Sequence, residues 1–275
     1  MAGIYADRDE YAVSTWTGGD YPLKETLQMI HESGFHFVEL WGDTVHFDPR
    51  AQINRCLVKK WLKQYGMTVH SVHAPFRRFS QKFPDASDFL NFRMRLLKQT
   101  IDDCGEFEVP YVVMHGLDRW EYNYTEAQAP LVHDQLEELC AYAERRGVLV
   151  ALENLFPKYP VPDKDEMDCS LKAHAAHFGD ISLLRFCLDI GHARITPGVT
   201  FEEEITAVGN RLVTTHIHNN DGIHDCHSLP TQGVIDWPAL HKYLRSHGYN
   251  NQFVLEVEGG KNAPEIIKKL GGLFD

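Results

Sequence analysis

Six successive apolar segments of the chain end in side chains that can bind a metal ion or carry a proton. The segments end in the sequences VHSVH, VVMH, VALE, FCLD, HIH and FVLE, and their last residues are His73, His115, Glu153, Asp189, His218 and Glu256. Imidazole and carboxylate donors suit Zn, Mn, Mg, Co or Fe, and no CxxC pair offers a thiolate site. An ionisable group that ends a buried segment is costly unless it is paired or metal-bound. The set therefore predicts a divalent-metal site.

Each of these side chains also has an ordinary explanation when it is taken alone. A single histidine at a strand end is more often a hydrogen-bonded boundary residue, and a single Asp or Glu can cap the next helix. Six such residues in consecutive segments favour the metal site. At the seventh predicted strand, His216 and His218 face the same side because they are two residues apart, so spacing alone leaves open which of them binds. Glu39, in VELWG, is expected to support the ligands, and Glu258 is expected at the rim.

The segments that carry these residues are short, apolar and regularly spaced, which predicts eight parallel strands covered on both faces. Between them lie helical patterns, for example over Asp48–Tyr65 and Thr125–Arg146. Glycines such as Gly34, Gly66, Gly147 and Gly248 mark helix ends before a strand. Eight such units predict a (β/α)₈ barrel in one domain over residues 1–275, with strand ends meeting at one mouth. A doubly wound open sheet is the alternative, but no Gly-rich dinucleotide motif supports it. The predicted strands are Ala12–Trp16, Phe35–Leu40, Thr68–His73, Tyr111–His115, Val148–Glu153, Arg185–Asp189, Leu212–His218 and Gln252–Glu256.

Composition limits the classes of partner. The formal charge of −12 argues against a nucleic-acid partner, because phosphate contacts dominate such binding. The charged N-terminus does not resemble a signal peptide, and no apolar stretch is long enough to span a membrane. Six scattered cysteines are typical of reduced thiols, so we expect a cytoplasmic protein.

In this order, the motifs GFHFVEL, VHAPF, MHGL, ALENL, CLDIGHA, HIHNNDG and VLEVEG resemble those of the xylose isomerase-like superfamily. That superfamily contains sugar and sugar-phosphate isomerases and epimerases as well as endonuclease IV, and the resemblance covers nearly the whole chain. It implies that Glu153, Asp189, His218 and Glu256 bind a central metal. His218 is preferred to His216 because the family ligand stands three residues before the Asp of an Asn-Asp pair, here Asn220-Asp221.

The resemblance to endonuclease IV extends to a larger set of positions. Residues matching all nine ligands of its three zinc ions are present, including His73, His115, His192, Asp225 and His227. These five are therefore candidates for additional metal or substrate binding, and the resemblance implies one to three ions. Two departures weaken the DNA-repair hypothesis. Glu153 is followed by NLFPKYPVPD instead of Asn-Thr-Ala-Gly-Gln-Gly, and Ile190-Gly191 replaces Thr-Cys.

The resulting hypothesis is a metal-dependent isomerase or epimerase of a sugar, sugar phosphate or related keto-polyol. Glu153 and Glu256 would exchange a proton with the carbon next to a carbonyl, and the metal would stabilise the enediolate. The alternatives are an endonuclease IV-like zinc phosphodiesterase, a lyase of the same superfamily, or a barrel that binds metal or sugar without turnover. The resemblance leaves a homo-oligomer open. Candidates for the substrate pocket are Trp16, Glu39, Trp41, Phe76, Arg77, Trp120 and Lys158, with loop solubility or sealing of the barrel as the ordinary alternative.

Overall fold

Eight parallel strands close into a barrel in the computed structural model, which describes residues 7–42, 46–51, 54–76, 86–116, 125–157 and 166–275. The strands pair in sequence order, and the first pairs with the eighth to complete the ring. This confirms the (β/α)₈ prediction. The strands are β1 (Tyr11–Ser14), β2 (Phe37–Trp41), β3 (Thr68–His73), β4 (Tyr111–Met114), β5 (Leu149–Glu153), β6 (Arg185–Asp189), β7 (Leu212–Ile217) and β8 (Phe253–Leu255).

Helices follow the strands around the outside of the barrel. They are α1 (Leu23–Glu32), α2 (Arg55–Gln64), α3 (Ala86–Glu106), α4 (Ala129–Glu144), α5 (Leu171–Phe178), α6 (Ile190–Ile195), α7 (Phe201–Val208), α8 (Trp237–Ser246) and α9 (Ala263–Gly271). Short 3₁₀ turns add Arg8–Glu10, Thr15–Gly18, Glu126–Gln128, Gly209–Arg211 and Gly260–Asn262. None of the helices within the described residues is long and apolar enough to cross a membrane.

Alternation along each strand separates two apolar layers. Outward residues such as Val112, Val150 and Leu188 join the large core between the strands and the helices. A smaller cluster of Val113, Ala151, Cys187 and Val213 comes from four neighbouring strands. Three of its members precede His115, Glu153 and Asp189 by two residues, so they face the barrel interior below the mouth. The interior of the barrel is therefore packed with side chains below the strand ends.

Register shifts in two strands change which residues face inward. The pairing of β2 with β3 passes over His70, and the pairing of β6 with β7 passes over Val213. An extra residue of this kind re-aims the side chains that follow it. After the shifts, Glu39 lies opposite Ser71 and Asp189 lies opposite His216. Both pairs contribute to the floor of the site.

Element boundaries differ from the predicted ones where side chains compete for the backbone. The helix expected from Asp48 begins only at Arg55, because the Asp48 carboxylate accepts from the Arg50 backbone N–H in a turn. Asn54 then caps α2 by accepting from the Leu57 N–H. The helix expected over 125–146 starts as a 3₁₀ turn at Glu126–Gln128 before α4. The predicted glycine cap is confirmed at Gly66, where φ is +61°.

Candidate active site

The C-terminal ends of the strands bring the predicted ligands together. His73, Glu153 and Asp189 are the last residues of β3, β5 and β6. His115, His218 and Glu256 each lie one residue beyond β4, β7 and β8. Parallel pairing all round the ring places these six ends at one mouth, as expected for this fold. The barrel thus converts six positions that are distant in sequence into one cluster.

The deeper part of the cluster, the inner group, consists of seven side chains that are each at most 9% exposed. They are Glu39, His73, His115, Glu153, Asp189, His216 and Glu256. One oxygen of Glu153, Oε2, lies 3.1 Å from His73 Nε2 and 3.3 Å from His115 Nε2. The other oxygen, Oε1, lies 3.3 Å from His216 Nδ1. Glu153 is therefore surrounded by imidazoles on both of its oxygens.

Histidines offset the burial of the inner carboxylates to different degrees. Burial opposes ionisation of Glu153, but His216, His115 and His73 hold its pKa well below its usual range. For Glu256, burial prevails over His216 and His227 and raises the pKa. Burial lowers the pKa of the His115 imidazole to about 4 despite its contact with Glu153.

The outer group lies next to Asp189 and is built from α6 and from the segment that follows β7. It consists of His192, His218, Asp225 and His227. Asp225 Oδ2 lies 3.3 Å from His227 Nε2 and 3.5 Å from His192 Nε2. Burial opposes the charged forms of these imidazoles, but Asp189 and Asp225 raise the pKa of His192 to about 10. Asp225 likewise raises the pKa of His227 to about 9.

Backbone carbonyls fix three of the histidines. The Nδ1 atoms of His73, His192 and His227 donate to the carbonyl oxygens of Ala74, Asn154 and Glu256 at 2.8, 2.9 and 3.0 Å. A carbonyl only accepts, so each Nδ1 carries the hydrogen and each Nε2 faces the site. Metal-binding histidines are held in this way by a hydrogen bond from the second ring nitrogen.

Asn154 and Gly191 hold Asp189 and His218 in place, a role that the sequence analysis assigned to neither of them. The Asn154 side chain accepts from the Asp189 N–H at 2.7 Å and donates to the Asp189 carbonyl at 2.9 Å. A Cβ at Gly191 would lie 1.9 Å from His218 Cε1, so only glycine leaves room for that ring. The positions of both residues, directly after Glu153 and two after Asp189, are the only sequence signal for these roles.

His216, in β7, and His218, directly after β7, occupy different places. His218 Nε2 lies 3.0 Å from Asp189 Oδ1 and 4.0 Å from Asp225 Oδ1, so it joins the outer group to Asp189. His216 Nδ1 lies 3.3, 3.5 and 3.9 Å from oxygens of Glu153, Glu256 and Asp189. Sequence spacing did not separate these positions. The resemblance implies four central ligands. His216 lies among the three carboxylates of that set, and His218, the fourth member, contacts Asp189.

Aromatic side chains pack against histidines of both groups. The rings of Trp41 and Phe76 lie 4.8 and 4.1 Å from those of His73 and His115, and Trp16 lies 4.7 Å from His227. Phe156, which sequence reasoning missed, lies 5.0 Å from His192. The predicted Trp16, Trp41 and Phe76 are thus at the site. The other predicted pocket residues, Arg77, Trp120 and Lys158, lie outside the described residues.

The donor set fits a divalent cation. Four buried polar atoms in the two groups make no hydrogen bond within the described residues: Glu39 Oε1, His216 Nδ1, His218 Nδ1 and Asp225 Oδ1. Ligand atoms of Glu153, Asp189 and His216 lie within 4.8 Å of one another, as do those of the four outer-group residues. Buried carboxylates that converge with imidazole nitrogens are a usual composition of a Zn or Mn site.

Known proteins with this fold include sugar epimerases. A fructoselysine 3-epimerase of Shigella flexneri is 22% identical over 246 residues, covering 86% of this chain and 85% of its own. The crystal structure of a D-tagatose 3-epimerase-like protein matches with a TM-score of 0.76 at 20% identity, covering 96% of each chain. At 15% identity, a xylose isomerase-like TIM barrel protein of Mycobacterium smegmatis, solved in complex with magnesium, matches with a TM-score of 0.68 and covers 96% of this chain and 97% of its own.

Two further matches concern the family. The uncharacterised protein y4fM of Sinorhizobium fredii is 26% identical over 265 residues, which cover 86% of this chain and 82% of the relative. The family model described as the xylose isomerase-like TIM barrel matches residues 27–272, which contain every residue of the inner and outer groups. The chain therefore belongs to the xylose isomerase-like TIM barrel family.

Proposed function

We propose that the protein is a divalent-metal-dependent epimerase or isomerase of a sugar or related keto-polyol. One observation carries the proposal: Glu153 and Glu256 reach the same buried point from β5 and from the end of β8. Oxygens of the two carboxylates lie 3.3 and 3.5 Å from a single atom, His216 Nδ1. Two carboxylates at one point suit a reaction that removes a proton from carbon and returns it.

Four residues would hold the cation. Glu153, Asp189 and Glu256 supply oxygens, and His218 supplies a nitrogen, as the resemblance implies. The contact of 3.0 Å between His218 Nε2 and Asp189 Oδ1 supports their action as ligands of one ion. When bound, a divalent ion acts as a Lewis acid toward a substrate carbonyl and an adjacent hydroxyl, and it orients both.

The two glutamates divide the proton transfer. Glu153 Oε1 and Glu256 Oε2 face the centre, while Glu153 Oε2 is held by His73 and His115. Since β6 and β7 lie between β5 and β8 in the ring, the two carboxylates approach the centre from different sides. One takes the proton from the carbon next to the carbonyl, and the other delivers a proton to the opposite face.

The walls of the mouth suit a small polyol. Trp16, Trp41 and Phe76 offer apolar ring faces that can cover the C–H face of a sugar and keep water from the reacting carbon. His192 and His227 hold their Nδ1 atoms against backbone carbonyls and turn their Nε2 atoms to the mouth, where these can contact hydroxyl oxygens. Two of the similar proteins are named a fructoselysine 3-epimerase and a D-tagatose 3-epimerase-like protein, which favours epimerisation next to a ketone over aldose–ketose isomerisation or dehydration.

The test combines metal analysis with a substrate panel. Protein purified without chelator is analysed for metal per chain, together with Glu153→Ala and Asp225→Ala. Each protein is then incubated with D-fructose, D-tagatose, L-ribulose and fructoselysine. We expect one ion that is lost in Glu153→Ala and kept in Asp225→Ala, and a new epimer of at least one ketose. Absence of bound metal after loading with Mn, Mg, Zn and Co would contradict the proposal.

A second candidate is a multinuclear phosphodiesterase of the endonuclease IV type. The observation that favours it is the outer group, whose four ligand atoms lie within 4.8 Å of one another beside the inner group. Clustered metals activate water and stabilise a leaving oxygen. This candidate predicts two or three ions per chain, one of them lost in Asp225→Ala, and nicking of abasic DNA. The charge of −12 makes it the weaker of the two.

A further inference from the structure

His216 and Glu39 form a buried pair on the floor of the site. Both side chains are fully buried, and they come from β7 and β2, on different sides of the ring. His216 Nε2 lies 3.2 Å from Glu39 Oε2, and the same oxygen accepts from Ser71 Oγ at 2.7 Å. Each of the two groups offsets the cost of burying the other, because either one alone would be an uncompensated buried polar group.

The contact with Glu39 decides which nitrogen of His216 faces upward. With Nε2 committed to the Glu39 carboxylate, the remaining ring nitrogen, Nδ1, points at the carboxylates of the reaction. It lies 3.3 Å from Glu153 Oε1 and 3.5 Å from Glu256 Oε2. It is buried and completes a hydrogen bond to neither of them. One ring atom is thus shared between the two proposed proton carriers.

We propose that His216 is a positioning residue shared by Glu153 and Glu256, and that Glu39 fixes it in that role. Nδ1 contacts both carboxylates from below and sets the separation and orientation in which they face the substrate. Glu39, supported by Ser71, prevents the ring from turning away. The inference rests on the proposed proton transfer, because it assigns His216 a role only through Glu153 and Glu256.

Two amide substitutions separate the nitrogens of the ring. In His216→Asn the side-chain amide lies near the place of Nδ1 and can still contact the two carboxylates. In His216→Gln the amide reaches the place of Nε2 and contacts Glu39 instead. We expect kcat of His216→Gln to fall about 100-fold or more, with KM within about threefold of the unaltered protein. The kcat of His216→Asn should be at least about tenfold higher than that of His216→Gln. Glu39→Ala should resemble His216→Gln, and Glu39→Gln, which can still accept from Nε2, should be milder.

The matched control is His70→Asn. His70 is another buried histidine of the barrel, and its Nε2 contacts Thr214 Oγ1 at 3.2 Å. We expect this variant to lower the melting temperature but to keep kcat within about threefold of the unaltered protein. Melting curves and metal titration by calorimetry are recorded for every variant, so that loss of folding is distinguished from loss of positioning.

Three results would overturn the inference. Equal kcat losses in His216→Asn and His216→Gln would show that a polar group in the place of Nδ1 does not matter. Lower stability of both with unchanged kcat would show a purely structural role. A loss of metal affinity above about 100-fold, with kcat restored at saturating metal, would make His216 a ligand instead. Each result requires an active unaltered protein, so absence of turnover in that protein would count against the proposed function alone.

Discussion

The inner and outer groups use the same residue types but are built on different parts of the barrel. Inner residues lie on strands or one residue beyond them, and their positions follow from the pairing of the ring. Three of the four outer residues, His192, Asp225 and His227, lie on a short helix or a loop. The Asp225 side chain is 23% exposed, and His227 has φ of +42°, a strained value for a residue with a Cβ. We therefore expect the proposed proton transfer to depend on the inner group and substrate binding to depend on the outer group.

The largest effect is expected from removing an inner carboxylate. Glu256→Gln keeps the shape of the side chain but removes the proton carrier, so kcat should fall about 10³-fold or more. The control is Glu258→Gln, two residues further on, where the side chain is exposed. Steady-state kinetics on the active ketose check the pair. Similar kcat values of the two variants would contradict a special role of Glu256 in proton transfer.

Gly191→Ala tests the connection between the groups. The added methyl would meet the His218 ring at 1.9 Å and displace it from Asp189. We expect the free energy of unfolding to fall by about 1–3 kcal/mol and metal affinity to fall at least about tenfold. Gly272→Ala is the control, because its nearest neighbour would be 3.6 Å away and its φ is −66°. Denaturant titration and calorimetry measure both effects, and unchanged metal affinity would argue that His218 is not a ligand.

A smaller effect is expected from the outer group. Asp225→Asn removes the charge that pairs with His192 and His227, so kcat/KM should fall about 10–100-fold, mainly through KM. Asp221→Asn is the matched control in the same loop, since Asp221 is half exposed and contacts only neighbouring loop residues among those described. A loss in Asp225→Asn as large as that in Glu256→Gln would place the chemistry in both groups.

The smallest effect concerns a buried carboxylate outside both groups. Burial raises the pKa of Glu204 from near 4.5 to about 7, although its side chain accepts from the Lys172 N–H at the start of α5. An acid with a raised folded-state pKa stabilises fully below about pH 4.5, and that contribution is lost as pH rises through about 7. Glu204→Gln should therefore be more stable by about 1–2 kcal/mol at pH 8 and nearly neutral at pH 4.5.

Melting curves at both pH values measure the difference. Glu202→Gln, on the exposed side of α7, should change stability by less than about 0.5 kcal/mol at either pH. A gain in stability of Glu204→Gln that is equal at pH 4.5 and pH 8 would contradict the cost of burying the charged Glu204 carboxylate.

The sequence predicted the inner group better than the outer one for a physical reason. In a barrel of parallel strands, sequence order determines ring order, so a residue that ends a buried strand must lie at the mouth. That rule placed Glu153, Asp189 and Glu256 correctly at the mouth from local pattern alone. It does not fix rotamers, so it left His216 and His218 undecided.

Contacts between distant segments account for what the sequence did not predict. Asn154 acts by spanning from β5 to β6, and Phe156, after β5, contacts His192, after β6. The late start of α2 depends on the competition of Asp48 and Asn54 for nearby backbone groups. Short helices such as α5 and α6 carry too few turns for a clear period of 3.6 residues.

Deuterium exchange from solvent tests the central claim most directly. The metal-loaded protein is incubated with each ketose of the panel in D₂O, and the recovered sugar is examined by mass spectrometry and NMR. We predict one deuterium at the carbon next to the carbonyl of the accepted ketose, with exchange abolished by EDTA and by Glu153→Gln. Epimerisation without deuterium uptake, or exchange that persists in EDTA, would contradict metal-dependent proton transfer by Glu153 and Glu256.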